Sequence, residues 1–134
     1  MDLPQAILFD LDGVLIDTEP LLANAWRETA KEHNHILTQD NLEELRGIRK
    51  IDCAKKVIEW INKAISIEEL VSTQTLKLSK QLNKAKPFKG AEELIRFCIK
   101  INLPIALVTS SSSHSFEIKS SIHPWLDLFH IKIL

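Results

Sequence analysis

The feature that most limits this chain is a short apolar run, Ala6-Ile7-Leu8-Phe9, that passes directly into Asp10-Leu11-Asp12-Gly13. A continuous apolar run of this length, closed by a polar turn with glycine, reads as a strand buried on both faces. Two further segments repeat the pattern. Pro104-Ile105-Ala106-Leu107-Val108 runs into Thr109-Ser110-Ser111-Ser112-Ser113, and Phe129-His130-Ile131-Lys132-Ile133-Leu134 has the pattern of a third strand.

The residues between the first two strands read as helical. Asp17-Thr18-Glu19-Pro20 is a helix start, with polar residues followed by proline in the first turn. Leu22, Trp26, Thr29, Ala30 and His33 then share one face. Thr38 is placed to cap a short helix through Leu42 and Leu45, and Arg46-Gly47-Ile48-Arg49 interrupts the pattern. Ile51, Ala54, Ile58, Ile61 and Ile65 recur at three- and four-residue spacing. Ser66 and Glu69 suit a capping box for a helix carrying Val71, Thr75, Leu78 and Leu82.

Pro87-Phe88-Lys89-Gly90 ends this stretch. A helix on Ala91, Leu94, Ile95, Cys98 and Ile101 follows, with Asn102 as its C-terminal cap. Another runs through Phe116, Ile118 and Ile122 and stops before Pro124. Strands alternating with helices predict an α/β fold. Here it is a Rossmann-like parallel sheet of about three strands, built from 1–16 and 87–134, with an inserted α-helical cap at 17–86. The insertion follows the carboxyl end of the first strand, where open α/β sheets bind ligands, so it is placed to act as a lid.

Composition narrows the classes further. With 134 residues, 45% of them apolar, and a net charge of −1, the chain reads as globular and lacks the basic field of a nucleic-acid binder. Cys53 and Cys98 are far apart and form no CxxC, which suits a reducing compartment. There is no apolar run near the roughly 18 residues of a membrane span. Met1-Asp2-Leu3-Pro4-Gln5 lacks the features of a signal peptide. The expectation is a soluble cytoplasmic protein without nucleic-acid or membrane partners.

Asp10 and Asp12 stand two apart at a strand end, so alternation puts both carboxylates on one side of the chain. Such a pair can share a divalent cation. It can divide nucleophilic attack from proton transfer. It can also simply cap a turn.

The segment Phe9-Asp10-Leu11-Asp12-Gly13-Val14-Leu15-Ile16-Asp17-Thr18-Glu19-Pro20 resembles the signature of the haloacid dehalogenase superfamily. Within it, the segment is similar to the phosphatase and β-phosphoglucomutase-like branch, whose helical cap is inserted just after this motif. The resemblance implies that Asp10 is a nucleophile that becomes an aspartyl-phosphate and that Asp12 is the general acid and base. It also implies that the Asp10 carboxylate and the Asp12 main-chain carbonyl hold Mg²⁺. Leu107-Val108-Thr109-Ser110-Ser111 resembles the family's second motif, in which Thr109 binds the phosphoryl group and the N–H groups of Ser110 and Ser111 add to the cradle. A flexible serine linker is the other reading of that run. Ser112, Ser113 and His114 suit capping or solvent exposure.

Arg46, Arg49 and Lys50 flank Gly47 in a break between cap helices. A basic loop there suits an anionic ligand or is an ordinary solvated loop. Asp17 and Glu19 suit a hinge lining or the acid-preferring first turn of a helix. His33, His35, His114, His123 and His130 read as structural or exposed, and Trp26, Trp60 and Trp125 as packing residues.

The resemblance covers the whole chain, but family members continue past the third strand. There they supply a lysine that stabilises the nucleophile and a later acidic pair that completes the metal shell. Nothing here matches either, and Lys132 lies too early for that lysine. Without the family's fourth strand, the first strand becomes an exposed edge, a route to self-association. The expected function is Mg²⁺-dependent hydrolysis of a small phosphorylated metabolite such as a sugar phosphate. A phosphosugar mutase and a truncated, non-catalytic phosphate-binding module are the alternatives.

Overall fold

The structure, a computed structural model, describes residues 2–134. Three strands, β1 (Ile7–Phe9), β4 (Ile105–Val108) and β5 (Ile131–Ile133), form a parallel sheet in the order β1-β4-β5. Ile7 stands opposite Ile105, and Ala106 stands opposite Ile131. This is the α/β architecture expected from the strand spacing.

Two more strands are only two residues long. β2 (Ile16–Asp17) pairs antiparallel with β3 (Lys86–Pro87). No periodicity of the sequence can show a ladder of two residues. The chain divides into one unit reaching to Thr18 and resuming at Leu82, and a second unit, Glu19–Gln81. Asp17 and Lys86 are ladder partners within the first unit.

The first unit also contains α5 (Ala91–Lys100) and α6 (Ser113–Ile122). α5 ends as Asn102 predicts. With φ at +56°, Asn102 donates to Ile99, and Leu103 donates to Cys98. These two bonds are the reversed pair that satisfies the last carbonyls of a helix. Phe9 and Phe129 meet edge to face at 5.8 Å beneath the sheet, and Leu107, Leu126 and Ile95 are fully buried.

The strands are not covered on both sides within the described residues. Leu8, Val108, Ile131 and Ile133 are exposed and share one face of the sheet by register, so that face is left uncovered. The periodicity of α6 also differs from expectation. Ile122 is exposed, and the buried positions are Phe116 and Lys119.

The second unit holds α1 (Glu19–Glu32), α2 (Gln39–Leu45), α3 (Lys50–Ile61) and α4 (Ile67–Ser79). Thr38 caps α2 through a full box with Asn41, each side chain accepting from the other's backbone. Ser66 caps α4 by accepting from Glu69, but the return bond expected from Glu69 is absent. The stripes predicted for α3 and α4 are rotated by about one residue. Cys53, Ala54, Val57 and Ile61 are buried while Ile51 is exposed, and Leu70 and Gln74 take the place of Val71 and Thr75.

Two polar groups inside this helical core carry predictions. Gln74 is fully buried, and neither its amide nitrogen nor its oxygen has a partner among the described residues. An unpaired buried amide costs about 1–3 kcal/mol. Gln74→Met keeps the volume, removes that cost and should stabilise the unit by ~1–2 kcal/mol in urea denaturation.

The Cys53 thiol is buried and points at the Leu45 carbonyl, 3.4 Å away. Burial, followed by the Asp52 and Glu19 carboxylates, pushes it up from 9.0 to about 11. A raised value in the fold favours the protonated thiol. Its contribution is therefore complete below pH 9 and fades as pH rises toward 11. The stability difference between wild type and Cys53→Ala should shrink by ~2 kcal/mol across that window, as read by urea denaturation.

Candidate active site

The site begins with the turn that closes β1. Leu11 is fully buried, and its main-chain carbonyl accepts from the N–H groups of Val14, Leu15 and Ile16 at 3.3, 2.9 and 3.0 Å. Gly13 adopts a φ of +82°, a left-handed conformation that favours glycine, and donates to the Ile16 carbonyl at 2.9 Å. With Leu11 turned inward, its neighbours face out. Asp10 is exposed, and its Oδ1 accepts from the Leu11 N–H at 2.7 Å.

Asp12 is about a third exposed and both of its carboxylate oxygens are engaged. The Lys119 ammonium donates to Oδ1 at 2.8 Å, and the Ser111 hydroxyl donates to Oδ2 at 2.5 Å. Lys119 also donates to Ser111 Oγ at 3.2 Å. Lys119 is 2% exposed, so α6 buries an ammonium group against the loop after β1.

The second loop follows β4. Thr109 is buried, its N–H donates to Ile133, and its Oγ1 accepts from the Ser111 N–H at 3.1 Å. The Ser111 N–H is thus spent within the loop rather than left open as part of a cradle. The Thr109 hydroxyl hydrogen and the Ser110 N–H carry no such commitment among the described hydrogen bonds. Ser112 caps α6 by accepting from Ser115 at 3.2 Å. Asp10, Thr109 and Ser110, with Leu8, Phe9 and Val108, line an open depression of about 470 Å³. Asp12 and Ser111 meet through the hydrogen bond beside it.

Arg49 belongs to the helical unit and pairs with Asp52 at 2.9 Å. Arg46 lies 3.7 Å from Glu19 and 3.6 Å from Glu43. Lys132 pairs with Asp127 at 2.8 Å and lies over the Phe116 ring.

Sequence reasoning missed Lys119. The available signal was a lysine three residues after Phe116 on the inward face of α6, where an apolar residue is the norm. Periodicity alone assigned that face to Ile118 and Ile122.

The metal-binding potential is partial. Asp10 and the Asp12 main-chain carbonyl are hard oxygen donors of the type Mg²⁺ takes, and that ion keeps several waters. Among the described residues there is no group of three or more His, Cys, Asp or Glu side chains able to hold an ion.

Residues 7–133 match the haloacid dehalogenase-like hydrolase family. The chain belongs to this family. It is 33% identical over 127 residues to a Saccharomyces cerevisiae protein named probable pseudouridine-5′-phosphatase, covering 93% of this chain and 54% of that one. It is 29% identical to the phosphorylated carbohydrates phosphatase of Thermotoga maritima, covering 80% of this chain and 50% of that one. In fold it is similar to the crystal structure of β-phosphoglucomutase from Clostridium difficile, with a TM-score of 0.73 and 24% identity, covering 97% of this chain and 61% of that chain. The chain spans about half the length of these curated relatives. No helix among the described residues is long and apolar enough to cross a membrane.

The two carboxylates have different structural roles, and stability separates them. Removing one partner of a buried ion pair costs about 3–5 kcal/mol, less where one member meets solvent. Asp12→Asn should therefore lower stability by ~2–3 kcal/mol and Asp10→Asn by less than ~1, as measured by chemical denaturation.

Proposed function

We propose that this chain carries the nucleophile and phosphate-loop half of a phosphatase acting on a small phosphate monoester. The observation that carries the reading is the division of labour within one turn. Asp10 is exposed and lightly hydrogen-bonded, as a nucleophile must be, while Asp12 is fixed through both oxygens.

In this reading an Asp10 oxygen attacks phosphorus in line with the leaving oxygen. The phosphorus–oxygen ester bond breaks, and the leaving oxygen takes a proton from Asp12. Water then attacks the aspartyl-phosphate, Asp12 accepts its proton, and the bond from Asp10 to phosphorus breaks to release phosphate. The Thr109 hydroxyl and the Ser110 N–H donate to phosphoryl oxygens, and Ser111 holds Asp12. The Asp10 carboxylate and the Asp12 carbonyl would hold Mg²⁺, which when bound neutralises charge on the phosphoryl group.

The names of two relatives point to esters of sugar hydroxyls, which supports a phosphorylated sugar or nucleoside as substrate. A cytoplasmic setting accords with the two buried free thiols, Cys53 and Cys98. The self-association expected from the sequence would use β1 or β5, the two sheet edges. A phosphate-binding module without turnover is the second reading, favoured by the small set of metal-ligating oxygens.

Hydrolysis of p-nitrophenyl phosphate by the purified chain decides between them. The phosphatase reading predicts release of nitrophenol that needs Mg²⁺ and falls at least ~10³-fold in Asp10→Asn. Phosphate binding without Mg²⁺-dependent release would support the module instead.

A further inference from the structure

The buried Lys119 is unexplained by the phosphatase reading above, on which this inference rests. An ammonium group that is 2% exposed has lost nearly all its hydration, a cost of several kcal/mol unless it is paired. Its only acidic partner among the described residues is Asp12. It also touches Ser111, which donates to the other oxygen of the same carboxylate. The three groups form a closed triangle, with contacts of 2.8, 2.5 and 3.2 Å.

Two fixed donors, one on each oxygen, set both the position and the plane of a carboxylate. Lys119 comes from α6, which starts from the Ser112 cap and carries Phe116 one turn earlier into the core. Packing of Phe116 and capping at Ser112 thus fix the height of the ammonium against the loop after β1. The position of Asp12 is set from outside its own turn.

We propose that Lys119 is a positioning residue for Asp12. Together with Ser111 it fixes the plane of the carboxylate, so that Asp12, once it has taken up a proton, presents that proton to the leaving oxygen. Lys119 acts through Asp12 and makes no bond to phosphorus. A purely structural lysine would slow every substrate alike, whereas a lysine that positions the proton donor matters most when the leaving group needs the proton.

The test compares p-nitrophenyl phosphate, whose leaving group departs as a stable anion, with phenyl phosphate, whose leaving group is far more basic. The parameter is kcat/KM in the presence of Mg²⁺, which reports steps up to release of the phenol. The proposal predicts that Lys119→Met lowers kcat/KM at least ~100-fold on phenyl phosphate and at most ~10-fold on p-nitrophenyl phosphate. Lys119→Arg should restore part of the loss on phenyl phosphate. Equal loss on both substrates, or no loss on either, overturns it. Should Lys119→Met fail to fold by circular dichroism, Ser111→Ala decides on the same two substrates: the same asymmetry supports the proposal and equal loss overturns it. If wild type turns over neither ester, the phosphatase reading fails first and this inference falls with it.

Discussion

The Leu11 peptide unit is the constraint on which the rest of the site depends. Its side chain is fully buried and its carbonyl accepts from three successive N–H groups. That concentration of bonds closes the chain into a turn immediately after β1. Burying Leu11 leaves Asp10 and Asp12 no inward direction, so both carboxylates stand at the carboxyl edge of the sheet. The same turn brings Ile16 into register with Pro87, and the Leu15 carbonyl then accepts from Phe88. One buried leucine thereby links the carboxylates, the two-residue ladder and the return of the chain into the α/β unit.

Electrostatics then distinguishes the two aspartates. Asp10 faces solvent with one backbone donor, whereas Asp12 is clamped by a buried cation and a hydroxyl. The proposed reaction, with one carboxylate free to attack and one held for proton transfer, calls for these opposite environments. The loop after β4 contributes to both. Thr109 is fixed by its bond to β5, while Ser111 turns its hydroxyl to Asp12.

Much of this was legible in the residues. The apolar run ending in Asp10-Leu11-Asp12-Gly13 placed the first strand and the carboxylates, because a period-two chain with a buried Leu11 has few alternatives. Asn102 and Thr38 marked helix ends correctly, since their local hydrogen bonding depends on neighbours three or four residues away. What was not legible depends on distant contacts. The Asp17–Lys86 ladder is too short to leave a period. The faces of α3 and α4 are rotated because tertiary packing, and not the mean apolar direction, selects Cys53 and Gln74 for burial. Lys119 lies 107 residues from Asp12, and only the fold shows that a lysine on an amphipathic helix meets a carboxylate rather than water.

The central claim is that Asp10 is the atom donor to phosphorus. Mass spectrometry of the chain after reaction with p-nitrophenyl phosphate and Mg²⁺ and a rapid acid quench tests it most directly. The account predicts a phosphoryl increment on the peptide containing Asp10, removed by hydroxylamine and absent from Asp10→Asn. A hydroxylamine-stable phosphoryl group on another residue, or product release with no label on Asp10 at any quench time, would contradict it.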